Sequence, residues 1–505
     1  MREIICGHIG QAGVQISSTV WETFCTEHGI QADGALKNGY EDDENQSFRA
    51  FFQEIPSGQF VPRAISIDLE PSVLDEIRTG PYRKLFHPDM LVTGCEDAAN
   101  NFARGHFTIG KNYIDYTINR VRKIVEMCGG LEGFFIFNSF GGGTGSGFSA
   151  LMLERLNVEF TKKVIYQSCV FPSDRLATST VEPYNTLLCT TALIDHTDLC
   201  GTFDNESLYD ICCGSLDIPR PTYSGLNRIV AQITSALSTS VRFEGTLNAD
   251  ISQIITNLVP YPRIHFPIFT YAPLLSSQKV LHQNLTTSDL TRAAFDSSNQ
   301  LVSCNLSEGR FMCCCLQYRG NVTPKEVNES LFEIKRRSDI KFVEWCPTSF
   351  KLGINSQPPP FVTKSEIAQT DKSVAMLTNS SAIAQKFRSL LNKFEILFSK
   401  RSFLHWYVGE GMEEAEIMNS FDEMKLITLD YEELSEEDDA KEKVNEEELK
   451  QEDDVKNIST TGVKDHEEEE DELPLSDHEK NMYAHSDSDG EFKPLTKDNN
   501  DDYDF

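Results

Sequence analysis

The stretch Ser139-Phe140-Gly141-Gly142-Gly143-Thr144-Gly145-Ser146-Gly147 has the residue types and spacing of a phosphate cradle. It follows the apolar run Phe134-Phe135-Ile136-Phe137, which reads as a buried strand, and precedes Phe148 to Leu156, which reads as a helix. Glycines let several backbone N–H groups converge on one anion, and the helix N-terminus adds partial positive charge. No lysine follows the glycines, so the Walker-type pattern is excluded. Glycine also punctuates many connections, so taken alone the stretch equally describes a tight turn without a ligand.

The surrounding elements bear on that choice. Residues 3–9 read as a strand running into a second glycine turn, Gly10-Gln11-Ala12-Gly13, and then a helix with Val14, Ile16, Val20, Trp21 and Phe24 at helical spacing. Ala64 to Leu69 reads as a strand and Pro71 opens a helix. A third junction, Thr93 to Asn101, precedes a helix over 110–127. This alternation continues to about residue 240 and predicts a doubly wound parallel sheet of the α/β class, with its ligand beyond the carboxyl ends of the strands. Several polar junctions would then face one crevice.

From Tyr223 to Phe243 the pattern is one long, largely apolar helix, a spine between two halves. Beyond it, 262–380 mixes strands (Arg263 to Pro267, Phe311 to Leu316) with helices such as 324–336, and 382–398 and 405–433 read as closing helices. The expected division is 1–222 for the nucleotide-binding domain, 223–243 for the central helix, 244–381 for a second mixed α/β domain, 382–434 for C-terminal helices and 435–505 for a tail.

Composition narrows the function. Residues 435–505 hold 27 Asp and Glu against 8 Lys, well over half of the chain's net charge of −32. With few large apolar residues this tail is expected to be disordered, and such charge argues against nucleic acid as a partner. Met1-Arg2-Glu3 carries charge where a secretion signal is apolar, and no run approaches membrane-spanning length, so a soluble cytoplasmic protein is expected. Fourteen cysteines without one Cys-x-x-Cys pair read as buried free thiols rather than a zinc site.

Four separated signatures, Gly10 to Ile16, the Gly141–Gly147 loop, Asn257 to Arg263, and Trp406 to Glu414, closely resemble the tubulin family over about residues 1–434. The segment Pro358 to Ser365 and the Tyr407-Val408-Gly409 wording resemble its α chains, while Met1 to Ile4 and Leu247 to Asp250 are nearer its β chains. The resemblance implies GTP and Mg²⁺, with Ser139, Gly142, Gly143, Thr144 and Gly145 at the phosphates. Gln11, Asp97 and Asn100 would lie at the strand ends beside them, and Glu70 would act as the metal carboxylate. Thr178 and Glu182 would meet the ribose, Asn205 and Asn227 would read guanine, and Tyr223 would stack on the base. Helix capping by Asn205, Asn227 or Asp97, and a turn role for Gln11, remain the alternative readings.

It also implies a heterodimer with β-tubulin, a microtubule lattice in the cytoskeleton, and motors and associated proteins on the acidic surface of Glu413, Glu414 and Glu416 and on the tail. The family's α chains present a glutamate that hydrolyses the partner's GTP; here Gln253 stands at that position. Glutamine can orient water but cannot take its proton, so slowed hydrolysis is expected, by about 10²–10⁴ if the general base is lost outright. Positioning alone could instead keep the rate near normal. Two alternative functions stand beside a structural subunit: a regulatory chain that caps or alters filaments, and a free-standing GTPase. Glu467 to Glu470 suits polyglutamylation, and Ser486 and Ser488 suit an acid-directed kinase.

Overall fold

The computed structural model describes residues 2–37, 47–280, 285–346, 348–362 and 366–434, all within the compact unit Met1–Lys443. The tail 435–505, with its expected modification sites, lies outside the described residues, as do Thr363, Lys364 and Ser365.

In chain order the first half runs β1 (Glu3–Ile9), α1 (Gly10–Glu27), a small hairpin of β2 (Phe52–Glu54) and β3 (Phe60–Pro62), β4 (Ala64–Asp68), α2 (Pro71–Thr79) and β5 (Leu91–Thr93). Next come α3 (Gly110–Glu126), β6 (Leu131–Ser139), α4 (Ser149–Glu159), β7 (Val164–Phe171), α5 (Glu182–Ile194), β8 (Leu199–Asp204), α6 (Asn205–Gly214) and α7 (Tyr223–Arg242). The second half adds α8 (Ile251–Leu258), β9 (Ile268–Ala272), β10 (Phe311–Gly320), β11 (Phe350–Asn355) and β12 (Lys372–Ser380), with helices Pro324–Lys335 and Ala384–Ser399.

Ten strands form one sheet in the order β11-β10-β12-β9-β8-β7-β6-β1-β4-β5. From β8 to β5 every pairing is parallel, and β1, β4 and β8 are buried along their whole length. Burial on both faces explains why these strands read as near-continuous apolar runs. The chain starts at β1, moves outward through β4 and β5, then crosses back to β6 on the other side. That reversal between β1 and β6 opens a crevice at their carboxyl ends. The α/β class expected from sequence is the fold observed.

The second half joins this sheet through a single parallel pairing, Thr202 with Ile268, and β12 runs antiparallel to both its neighbours. The expected strand at 263–267 is not one: Pro262 and Pro267 withhold ladder donors, and the strand begins at Ile268. Likewise 405–433 is not one helix. Leu404–Gly409 ends before Gly411, whose φ of 96° breaks the helix, and a second helix covers 414–434.

Helix α7 is the spine. Leu226, Ile229, Val230, Ile233 and Leu237 are buried, and the helix packs on α1 and touches β10 and β12. Its buried hydroxyls donate back to helix carbonyls: Thr234 to Val230 (2.9 Å), Ser238 to Thr234 (2.9 Å) and Thr239 to Ser235 (2.8 Å). At its end Arg242 meets Glu27 of α1 (2.6 Å), and the same carboxylate takes Arg319 of β10 (2.9 Å). No helix among the described residues is long and apolar enough to cross a membrane.

Candidate functional site

At the switch between β1 and β6 lies a cleft of about 420 Å³, a size typical of ligand pockets. Its floor is the glycine loop. Asn138, fully buried at the end of β6, donates to the Gly145 carbonyl (2.7 Å), and Ser146 Oγ donates to the Gly142 carbonyl (2.5 Å). Tying these carbonyls down leaves the amides facing the other way. The first bond of the following turn runs from Ser146 N–H to Gly142 C=O (3.1 Å), so the N–H groups of Gly143, Thr144 and Gly145 precede it and stay available to a ligand. Thr144–Phe148 is a π-turn, a widening common at functional sites.

The glycines are needed for different reasons. A Cβ on Gly143 would come within 2.6 Å of Asn101 N, and one on Gly145 within 2.7 Å of Ser139 O, so these two let neighbouring backbones close up. At Gly142 the nearest atom is Ser139 Oγ at 3.4 Å, an ordinary contact, so a side chain fits here and would enter the cleft. Gly10 has φ 71° and a Cβ there would sit 3.0 Å from Gly145 N; it brings the start of α1 against the loop. Helix α1 has neither a side-chain cap nor an acid in its first turn, which leaves its positive end uncompensated.

Every candidate ligand residue except Gln253 lines this one cleft: Gln11, Glu70, Asp97, Asn100, Ser139, Gly142, Gly143, Thr144, Gly145, Thr178, Glu182, Asn205, Tyr223 and Asn227. The capping alternatives for the two asparagines fall away, because Asp204 caps α6 and Thr222 caps α7. Tyr223 is 55% exposed, with its ring edge-on to Tyr209 (centroids 6.4 Å apart). Glu182 is already engaged: its Oε1 accepts from Thr178 N (2.8 Å), Thr178 Oγ1 (2.5 Å) and Ser179 N (3.0 Å). Through this oxygen it shapes the loop 172–181 while the residue itself lines the cleft.

Two residues that sequence reasoning passed over belong here. Asn185, fully buried on α5, donates to the carbonyls of Asn100 (2.7 Å) and Gly141 (2.9 Å) and accepts from Phe102 N (3.0 Å) and Tyr407 OH (2.7 Å). It ties two cleft loops to the C-terminal helices. Asp68, the last residue of β4, lines the cleft while only 3% exposed. Burial, with repulsion from Glu70 and Asp97, pushes its carboxyl up to about 7.

Among the described residues, those lining the cleft include Asp68, Glu70, Asp97 and Glu182 but no lysine or arginine. A polyphosphate here would be held by amides and helix ends, and its charge beside these acids calls for a divalent cation. Among the described residues no three His, Cys, Asp or Glu side chains cluster closely enough to hold an ion alone. This donor set fits Mg²⁺, which keeps waters and takes phosphate oxygens beside one or two carboxylates.

Gln253 lies elsewhere, in a hollow with Arg2, Gly130, Leu131, Glu132, Asp250 and Ser252. These residues sit at the amino ends of β1 and β6; the seven residues of β1 alone separate the two ends by roughly 23 Å. Gln253 Oε1 accepts from Lys351 Nζ (3.0 Å), and its Nε2 donates to Asp250 Oδ2 (3.4 Å).

A doubly wound sheet with an amide cradle at its switch point, joined to a second mixed α/β half by a long helix, is the architecture of a nucleotide-binding α/β protein. Residues 3–213 match the Tubulin/FtsZ family GTPase domain, and residues 262–392 match the tubulin C-terminal domain. The chain belongs to the tubulin family, whose members are GTP-binding cytoskeletal proteins that polymerise into filaments.

Proposed function

We propose that this chain is an α-like tubulin subunit that pairs with β-tubulin, buries its own GTP and Mg²⁺ at the contact within the pair, and assembles into microtubules. The observation that carries the reading is the convergence of the candidate residues, from six strand ends and the start of α7, on one cleft. Gln11, Asn100, Ser139 and the Gly142–Gly145 amides hold the phosphates, while Glu70 with Asp68 and Asp97 faces the cation. Thr178 lies at the ribose, and Asn205, Asn227 and Tyr223 take the base. Residues 1–222 form the nucleotide-binding part, 223–243 the spine, 244–381 the second part and 382–434 the outer helices that meet motors and associated proteins.

In this reading Gln253 acts on the nucleotide of the next subunit, since it lies at the opposite end of the sheet from its own cleft. Held between Lys351 and Asp250, it orients water without deprotonating it, and the partner's GTP is hydrolysed slowly. Two measurements test this. Co-expression with β-tubulin followed by nucleotide analysis should return a pair carrying guanine nucleotide; nucleotide-free pairs would overturn the assignment. Phosphate release during co-assembly should rise by about 10²-fold or more in Gln253→Glu, and an unchanged rate would remove the catalytic part alone.

A further inference from the structure

We propose that Lys386 is a positioning residue for the nucleotide: its ammonium group, buried between Asp174 and Asp204, sets the ribose loop and the base-reading end of α6 relative to each other. The inference rests on the nucleotide reading above and extends it to a helix that does not line the cleft. Lys386 lies on Ala384–Ser399 and is 3% exposed. Its Nζ donates to Asp204 Oδ2 at 2.9 Å and to Asp174 Oδ2 at 3.4 Å.

Each carboxylate leads to a different wall of the cleft. Asp204 Oδ1 accepts from Glu206 N (3.0 Å) and so caps α6, whose first residue is Asn205. Asp174 belongs to the loop that supplies Ser173, Leu176 and Thr178 to the cleft. Ser389 and Lys393, on the same face of the helix as Lys386, complete its cage: Ser389 Oγ donates to Asp174 Oδ1 at 2.9 Å and Lys393 Nζ at 2.5 Å. Burial alone would raise the Asp174 carboxyl, but these donors outweigh it and hold it at about 2. Asp204 is fully buried, and burial lifts its carboxyl above the ordinary range even with the ammonium beside it. Without Lys386 the α6 cap would lose its ammonium partner, and the two walls would lose the atom they share.

The test is a pair of double-mutant cycles on GTP affinity at this chain's own site, read as GTP photocrosslinked to this chain within the pair with its β partner. Lys386→Met should weaken GTP roughly tenfold or more. Its effect should be non-additive with Asn205→Ala and also with Thr178→Ala, because each pair acts through one arrangement. A lysine that merely supported the fold would give additive cycles. Lys393 is half-exposed and, among the described residues, its ion pair is with Asp174; Lys393→Met should be non-additive with Thr178→Ala and additive with Asn205→Ala, and it serves if Lys386→Met does not fold. Folded variants with parental GTP affinity, or additive cycles throughout, overturn the proposal. Failure of the parent chain to bind GTP would instead overturn the nucleotide reading itself.

Discussion

Glu27→Gln is the sharpest test of what joins the two halves. Among the described residues Glu27 is the carboxylate paired with both Arg242 and Arg319, and the three side chains are 3%, 0% and 2% exposed respectively. Ser235 donates to both its oxygens, at 2.8 and 2.9 Å. Burial alone would raise this carboxyl, yet the two guanidiniums overcome it and hold it at about 2 against an ordinary 4.5. That fall is worth roughly 3 kcal/mol, the cost of neutralising the group. Glutamine keeps the shape and removes the charge, leaving two buried cations facing an amide, and deletion of one partner of a buried pair commonly costs about 3–5 kcal/mol.

With an unfolding entropy of about 2 cal/mol/K per residue over roughly 430 residues, the thermal midpoint should drop by about 4 °C at a fixed scan rate. The depressed folded value means the stabilisation is fully present above pH 4.5 and is lost as pH falls towards 2, so the gap between parent and variant should narrow over that interval. Replacing Glu27, Arg242 and Arg319 together by apolar residues of similar volume should recover much of the loss. A midpoint within about 1 °C of the parent in Glu27→Gln would refute the reasoning. It would mean that the carbonyls of Ser235 and Pro358, which accept from Arg242 (2.8 Å) and Arg319 (2.9 Å), already suffice.

The glycine loop gives a paired prediction. Gly142→Ala should fold normally and lose GTP affinity, because its methyl meets only an ordinary contact and enters the cleft, whereas Gly143→Ala should lower the melting temperature, because its methyl meets Asn101 N at 2.6 Å; equal melting temperatures for the two would contradict the assignment. Asp68 gives a pH prediction for nucleotide-free, Mg²⁺-free protein. Its raised value means that the folded chain keeps a proton that the unfolded chain has released between pH 3.8 and about 7, so stability falls as pH rises across that range. Asp68→Asn should flatten the slope in a melting series, and an unchanged slope would show that Asp68 does not titrate there.

What the sequence revealed followed from distance along the chain. The phosphate cradle was legible because strand, glycines and helix are contiguous, and the order of strands and helices places such junctions at one end of a parallel sheet. Asp68 stood in plain view as a charge closing an apolar strand, but nothing local distinguishes a cleft carboxylate from a strand's polar end. Asn185 was hidden, since one amide on a buried helix has no pattern, and its partners Asn100, Gly141 and Tyr407 come from three distant segments. The Glu27 cluster joins residues 215 and 292 positions apart, beyond the reach of any periodicity. The boundary errors were local: prolines delayed β9, and Gly411 divided a helix whose apolar spacing continued through it.

The separation of the cleft from Gln253 bears on why such a chain would polymerise at all. A parallel sheet has two chemically different ends, and here one carries amides and acids around a crevice while the other carries Gln253, Lys351 and the Arg2–Asp250 pair. Under the proposed function, contact between unlike ends brings each Gln253 to a neighbour's nucleotide. Such a head-to-tail contact leaves a free end of each kind, so it repeats without closing and builds a filament. Hydrolysis is then tied to assembly by geometry, because no single chain holds both halves of the site. Exchanging one side chain at the amino ends of the strands can therefore change how long the assembled state keeps its GTP while leaving the subunit's own nucleotide untouched.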